Sequence, residues 1–252
     1  MIADTHAHLC DESFDTDLKQ VLERASQAGV QAILAVSETL EGARKNLDLA
    51  ANYEMVLPCA GLHPEHADRT QAGEMMEFIR ARRSQLTAIA EVGLDYRVAE
   101  SDADRELQLE VLDGFVELSL ETGLPLNVHS RSAGRHVVSR LLEKGAKKVQ
   151  LHAFDGKPKY ALPAVDQGYF FSIPPSVVRS KQKQKLVANL PLSCMLAETD
   201  SPVLGADPGS RNEPANLALV IQALSEIKQV SIQHVQEVFS RNFALLYGVG
   251  QK

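Results

Sequence analysis

Eight short runs of apolar, β-favouring residues recur along the chain, each separated from the next by a longer stretch with helical periodicity. No other feature restricts the fold as much. The runs are Ile2–His8, Ala32–Ser37, Val56–His63, Ala88–Leu94, Leu126–His129, Val149–Phe154, Tyr169–Ile173 and Met195–Thr199. Several are continuously apolar rather than alternating, the pattern of parallel strands covered on both faces. Between the first two, Leu18, Val21, Leu22, Ala25 and Ala28 line one helical face, with Asp15 as the expected cap and Gly29 as the stop. Leu107, Val111, Phe115 and Leu118 repeat the spacing in a longer helix expected to end near Gly123-Leu124-Pro125. Eight strands alternating with helices over 252 residues predict an α/β fold, a TIM-like (β/α)8 barrel occupying 1–252 as a single domain. The amphipathic segment Ser231–Tyr247 predicts an extra C-terminal helix packed on that barrel. A doubly wound open sheet would alternate too, but it normally carries a Gly-rich phosphate turn, and neither G-x-G-x-x-G nor a Walker sequence occurs.

Composition narrows the function classes. With 44% hydrophobic and 23% charged residues the chain has the material for a substantial core. No apolar run approaches the eighteen or so residues of a membrane span, and Met1-Ile2-Ala3-Asp4 does not read as a signal peptide. Cys10, Cys59 and Cys194 are odd in number and far apart, which suits thiols in a reducing compartment; the expected location is the cytoplasm. No heptad seam announces an obligate protein partner. The formal charge of −7 argues against a protein that coats DNA by basic charge. It leaves room for a nuclease, because bound divalent ions bring positive charge that a residue count omits.

Barrel enzymes carry their chemistry at the C-terminal ends of the strands. Six of the eight predicted strands hold a histidine or carboxylate there: His6 and His8, His63, Glu91, His129, His152, and Glu198 with Asp200. Side chains two apart on a strand point the same way, so His6 and His8 can grip one ion. Imidazole with carboxylate suits Zn²⁺, Mn²⁺ or Fe²⁺, whereas Mg²⁺ prefers more oxygen and water. Four histidines with Glu91 and Asp200 exceed what one tetrahedral zinc needs. Two divalent ions (zinc, manganese or magnesium), about 3.5–4 Å apart and bridged by a shared carboxylate, would use them all. Glu91, on the central strand of the set, is the candidate bridge.

The ordered series D-T-H-A-H, G-L-H-P, E-V-G-L-D, the later strand-end histidines, E-T-D-S-P and R-N-E-P (Arg211–Pro214) resembles the motifs of TatD-type metal-dependent deoxyribonucleases, a family within the amidohydrolase-like barrels. The resemblance runs from Ile2 to about Tyr247, and His129–Arg135, His152–Gly156, Tyr169–Ser176 and Lys181–Leu186 resemble one branch of that family in particular. It implies one metal on His6, His8, Glu91 and Asp200, and a second on Glu91, His129 and His152. It implies that His63 reaches the substrate rather than a metal, and that the reaction is phosphodiester hydrolysis, chiefly exonucleolytic trimming of DNA. The substrate would be DNA or another nucleic acid. In this reading Asp200 orients a water or takes its proton, and His63 and Arg131 bind non-bridging phosphate oxygens. Some relatives bridge their metals with a carbamylated lysine; here Glu91 holds that place.

Blander readings stand beside these. Asp4, Asp95 and Glu198 read as partners that orient metal-bound imidazoles rather than as ligands. His66 reads as a loop residue without function, and His136 and His234 as solvated helix positions. Arg131 could pair with a barrel carboxylate instead of a phosphate. Arg179-Ser180-Lys181-Gln182-Lys183-Gln184-Lys185 reads first as a solvated helix face, and otherwise as a segment within reach of a phosphate backbone. No aromatic stripe accompanies it for base stacking. Asn212 and Glu213 either shape the pocket or cap the helix that follows, and Asn242 joins the closing helix to the barrel. The competing functions are a D-aminoacyl-tRNA deacylase, another ester or amide hydrolase on the same centre, and a non-catalytic binding protein.

Overall fold

The apolar runs pair in sequence order. In a computed structural model describing residues 1–249, the strands are β1 (Ala3–Ala7), β2 (Ala32–Ala35), β3 (Val56–Ala60), β4 (Ala88–Gly93), β5 (Leu126–His129), β6 (Val149–Leu151), β7 (Phe170–Ile173) and β8 (Met195–Ala197). They form one parallel sheet in the order β1 to β8. The sheet closes where Ala7 bridges Ser201, the Asp200 N–H donates to His6 O and the His8 N–H donates to Ser201 O, each hydrogen bond 2.8 Å long. The expected eight-stranded barrel is therefore the fold; positions 250–252 of the expected domain lie outside the described residues.

All the strands but β5 are shorter than the apolar runs, and the loss falls mainly at their C-terminal ends. His8, His63, His152 and Glu198 lie just past a strand rather than in it. There the backbone leaves the ladder for loop contacts such as His63 N–H to Glu38 O at 3.0 Å, which frees these side chains to turn over the barrel mouth.

The helices are α1 (Leu18–Gln27), α2 (Leu40–Asn52), α3 (Arg69–Arg82), α4 (Asp102–Thr122), α5 (Gly134–Glu143), α6 (Pro158–Asp166), α7 (Lys181–Asn189), α8 (Leu217–Lys228) and α9 (Ile232–Tyr247). Local chemistry sets several of their ends. A Ser101–Asp104 capping box starts α4, and Gly123, at φ 74°, stops it. The expected cap at Asp15 is incorrect. Asp11 instead caps a short 3₁₀ turn at Glu12–Phe14, Asp15 closes that turn and pairs with Lys45 at 2.5 Å, and α1 begins after Asp17. Ala28, expected on the buried face, is the exposed C-cap residue, and Gly29 ends the helix at φ 89° as anticipated.

Apolar residues between sheet and helices form the main core. A second cluster fills the barrel at its N-terminal end. Ala3, Ala32, Cys59, Ala88 and Ala90 are small, and Phe243, Leu246 and Tyr247 of α9 enter the space they leave. Asn242 fastens α9 by donating to Leu192 O and Met195 O at 3.1 and 2.7 Å, the joining role the sequence suggested. The closing helix thus plugs the end opposite the strand-end histidines. Among the described residues no helix is long and apolar enough to cross a membrane.

Candidate metal centre

Glu91 stands at the middle of the mouth, buried, with its two carboxylate oxygens facing different neighbours. Oε2 lies 3.4 Å from both His6 Nε2 and His8 Nε2, while Oε1 lies 2.5 Å from His129 Nδ1 and 2.9 Å from His152 Nε2. Asp200 Oδ1 completes the first group, 3.6 Å from His6 Nε2 and 3.3 Å from His8 Nε2, and those two nitrogens are 3.3 Å apart.

These spacings test whether a metal fits. Donors about 2.0–2.2 Å from one tetrahedral ion stand about 3.3–3.6 Å from each other. The five separations that His6 and His8 make with each other and with Glu91 and Asp200 run from 3.3 to 3.6 Å, so this group has the spacing of a ligand set. The second group is tighter: His129 Nδ1 and His152 Nε2 are 3.2 Å apart and nearer still to Glu91. That is hydrogen-bond spacing, closer than two ligands of one ion stand. Its donor types, two imidazoles and a carboxylate, are those of a divalent-ion site.

Deeper groups fix which nitrogen faces inward. Asn127 donates through Nδ2 to Thr5 O at 2.8 Å, so its Oδ1 accepts the His6 Nδ1–H at 3.0 Å and the lone pair of His6 Nε2 faces the centre. Asp95 Oδ2 lies 3.3 Å from His129 Nε2. His152 Nδ1 is buried without a hydrogen bond, 3.6 Å from Glu198 Oε2. Asp95 and Glu198 thus occupy the orienting positions expected of them. Asp4 differs: its oxygens accept from Thr199 N–H at 2.8 Å, Thr199 Oγ1–H at 2.5 Å and the His6 backbone N–H at 3.3 Å, so it braces β8 against β1 rather than an imidazole.

The backbone makes room for this crowding. A Cβ on Gly61 would stand 2.5–2.7 Å from backbone atoms of Ala90 and Glu91, so β3 can approach Glu91 only without a side chain there. Asp200 takes a left-handed φ of 55°, a conformation Asp tolerates, which turns its carboxylate toward His6 and His8.

Electrostatics follow the geometry. Burial alone would raise the Glu91 carboxyl, but His152, His129 and His6 hold it well below the usual carboxylate range. Burial opposes protonation of His8, yet the hydrogen bond to Asp200 and the charge of Glu91 raise it to about 9. His129 and His152 are raised by the same carboxylate against the effect of burial. His63 behaves oppositely. Burial pushes it down to about 3, and its Nδ1 accepts the Glu65 N–H at 3.2 Å, so the ring is neutral with its remaining proton on Nε2. A ring in that tautomer offers the cavity a donor.

Five of the six expected ligands, His8, Glu91, His129, His152 and Asp200, line one cavity of about 420 Å³ together with His63, and His6 lies fully buried beneath it against Glu91 and His8. Arg131 reaches its rim with the side chain 48% exposed, and its Nε and Nη2 bind Asp95 Oδ2 at 2.8 and 2.6 Å. It is both at the cavity and paired to a barrel carboxylate. His66 lies apart, its ring 6.5 Å from that of His63, and His136 and His234 are exposed on helices. Asn212 donates to Thr199 O and Val203 O at 2.7 and 2.8 Å and so holds the loop behind Asp200, whereas Glu213 pairs with Arg24. Neither caps the following helix with its side chain.

Three groups of residues escaped the sequence reading. Asn127, Gln150 and Ser172 sit mid-strand in β5, β6 and β7, and with Tyr247 they form a buried polar chain. Tyr247 donates to Gln150 Oε1 at 2.7 Å, Gln150 to Ser172 Oγ at 2.8 Å, and Ser172 to Glu198 Oε2 at 2.5 Å. The available signal was one polar residue inside each of three apolar strands. Gln108 of α4 ties Pro64 O and Asp95 together behind His63 and Asp95. Lys183, in the basic run, turns into the cavity while Lys181 and Lys185 stay exposed.

A sequence model described as TatD related DNase matches residues 3–248. Deoxyribonuclease TATDN3 of Homo sapiens is 42% identical over 258 aligned residues, covering 98% of this chain and 94% of its own. The metal-dependent hydrolase YabD of Bacillus subtilis is 31% identical, covering 99% of this chain and 100% of its own. Among solved structures, YjjV, a TatD homologue from Escherichia coli, superposes with a TM-score of 0.90 at 27% identity and covers 98% of both chains.

Proposed function

Because the chain belongs to the TatD-related DNase family of metal-dependent hydrolases, we propose that it hydrolyses DNA phosphodiesters, trimming strand ends with two divalent ions (zinc, manganese or magnesium). The observation that carries the two-ion reading is Glu91, with one oxygen toward His6, His8 and Asp200 and the other toward His129 and His152. His6, His8, Glu91 and Asp200 would hold one ion; Glu91, His129 and His152 would hold the other. Ions held there would supply a water of lowered pKa and positive charge for the oxygen leaving phosphorus.

The protein's own groups supply the rest. Asp200 orients the attacking water and takes its proton. Neutral His63 donates its Nε2–H to a non-bridging oxygen, where charge grows during attack. Arg131 keeps Nη1 for the substrate while Asp95 holds the other side of its fork. A cavity of about 420 Å³ has room for the residue at a strand end, which supports the trimming reading.

The test measures metal content and cleavage of 3′- and 5′-labelled single-stranded DNA by wild type and by His6→Ala/His8→Ala. About two ions per wild-type chain with shortened DNA, and neither in the double variant, is the expected result. Metal binding with every DNA end intact would remove the nuclease reading. An aminoacyl-tRNA assay alongside decides whether the same centre is an ester hydrolase.

A further inference from the structure

Lys183 stands in the first turn of α7 and lines the same cavity as Glu91, His152 and Asp200. Its Nζ makes one hydrogen bond, to Ala153 O at 3.2 Å, and among the described residues it enters no ion pair. An ammonium carries three donors, so two are left for the cavity. Neighbouring contacts fix its position. Gln182 donates to Phe154 O and Gly156 O at 3.2 and 2.8 Å, clamping α7 to the loop after β6, and Ser180 caps the Lys183 N–H at 3.3 Å.

The other cation of the cavity, Arg131, already has a counter-ion in Asp95. Lys183 has none within ion-pair distance: of the carboxylates around it, Asp200 faces the metal-ligand histidines, Glu198 accepts from Ser172 and the Ala153 N–H, and Asp155 accepts from the Ser132 N–H. A partly buried ammonium beside a cationic centre is stable only when an anion joins it. On the reading of the centre as a phosphodiester hydrolase, we propose that Lys183 binds a second substrate phosphate, the one next to the cleaved diester in a single-stranded DNA end. It is a substrate-binding residue that lets the centre prefer a polynucleotide over an isolated diester.

Two substrates separate the roles, bis(p-nitrophenyl) phosphate with one phosphate and 5′-phosphorylated dithymidine (pdTpdT) with two. They are assayed with the Mn²⁺-loaded full chain as wild type, Lys183→Met and Lys183→Arg. For Lys183→Met, kcat/KM should fall at least tenfold further on pdTpdT than on the p-nitrophenyl diester, chiefly through KM. The salt dependence of pdTpdT binding should weaken by about 0.7 in log–log slope, one phosphate contact on a single strand. Lys183→Arg should recover most of the loss. An equal fall on both substrates, carried by kcat, would overturn the proposal and leave Lys183 as a support for the turn at Ala153; no fall on either would also overturn it. If wild type cleaves neither substrate, the hydrolase reading fails, but binding of pdTpdT still decides. Affinity tenfold weaker in Lys183→Met supports the phosphate site, and equal affinity removes it.

Discussion

Replacing Asn127 by leucine keeps the number and branching of the side-chain heavy atoms and removes their polarity at the most consequential point beneath the centre. Asn127 Oδ1 receives the His6 Nδ1–H at 3.0 Å, and its Nδ2 reaches Thr5 O at 2.8 Å and Tyr247 Oη at 3.4 Å. In the leucine variant the His6 N–H stays buried without an acceptor, at about 1–3 kcal/mol. Thr5 O loses one of its two donors, since Gln150 Nε2 remains at 3.2 Å, at about 1 kcal/mol more. A total of about 2–4 kcal/mol corresponds to a melting temperature lower by roughly 5–15 °C for a chain of this size. The metal effect is separate. With no acceptor fixing its tautomer, His6 can present Nε2–H instead of a lone pair, and loss of such a partner typically weakens metal binding about 10–100-fold. Competition against a chromophoric chelator reads that affinity, and melts with and without chelator read stability. Tyr247→Phe is the comparison: it removes a hydroxyl from the same network but leaves the acceptor of His6. It should lower stability while metal affinity shifts by less than about tenfold. Wild-type metal affinity in Asn127→Leu, or an equal loss in Tyr247→Phe, would refute the claim that Asn127 sets the His6 ring.

Two further outcomes are expected. Asp200→Asn preserves the shape of the ligand set but removes the proton acceptor, so turnover should drop about 10²–10⁴-fold with metal still bound; near-normal turnover in a metal-loaded variant would contradict the assignment. In the metal-free protein His8, His129 and His152 hold protons above their ordinary range, His8 to about 9, because Glu91 and Asp200 face them. Ligation needs neutral rings, so metal binding at pH 7 should release protons and tighten as pH rises. For the same reason the metal-free fold should keep the His8 contribution below the unfolded value of about 6.5 and lose it as pH climbs through about 9. Calorimetry in two buffers of different ionisation heat counts the protons, and a buffer-independent heat would exclude the release.

What the sequence made legible was what repeats. Alternating runs are a periodic signal, and strand-end histidines are conspicuous because imidazole is rare at the end of an apolar run. The misses share another cause: their meaning depends on a partner distant in sequence. Asp11, Asp15 and Asp17 are equally plausible caps by type, and the choice among them was made by Lys45 and Arg211, which occupy Asp15 and Asp17. Asn127, Gln150 and Ser172 look like blemishes in three strands until closure brings them to one interior with Tyr247. The basic run looks uniform, yet helical geometry turns Lys183 inward and leaves Lys181 and Lys185 in solvent.

Closure also answers the objection that an acidic chain should avoid DNA. The net charge of −7 is a sum over the whole surface, whereas a substrate bound at the candidate metal centre would meet only the mouth. The buried carboxylates there are committed inward: Asp4 to Thr199, Asp95 to His129 and Arg131, Glu198 to Ser172 and the Ala153 N–H, and Glu91 and Asp200 to the ligand groups. Two divalent ions would add four positive charges, with Lys183 and Arg131 beside them, against Glu91 and Asp200 at the centre and Glu38, Glu65 and Asp155 on the lining. Attraction for phosphate would then be local and confined to a cavity that admits few phosphates. Such a protein would bind DNA through one or two contacts, with a correspondingly shallow dependence on salt, and would not spread along a duplex as a basic protein does. On the proposed reading, positive charge would be concentrated at the centre of the mouth, so a nucleic acid would be held at the phosphate it presents there and not along its length.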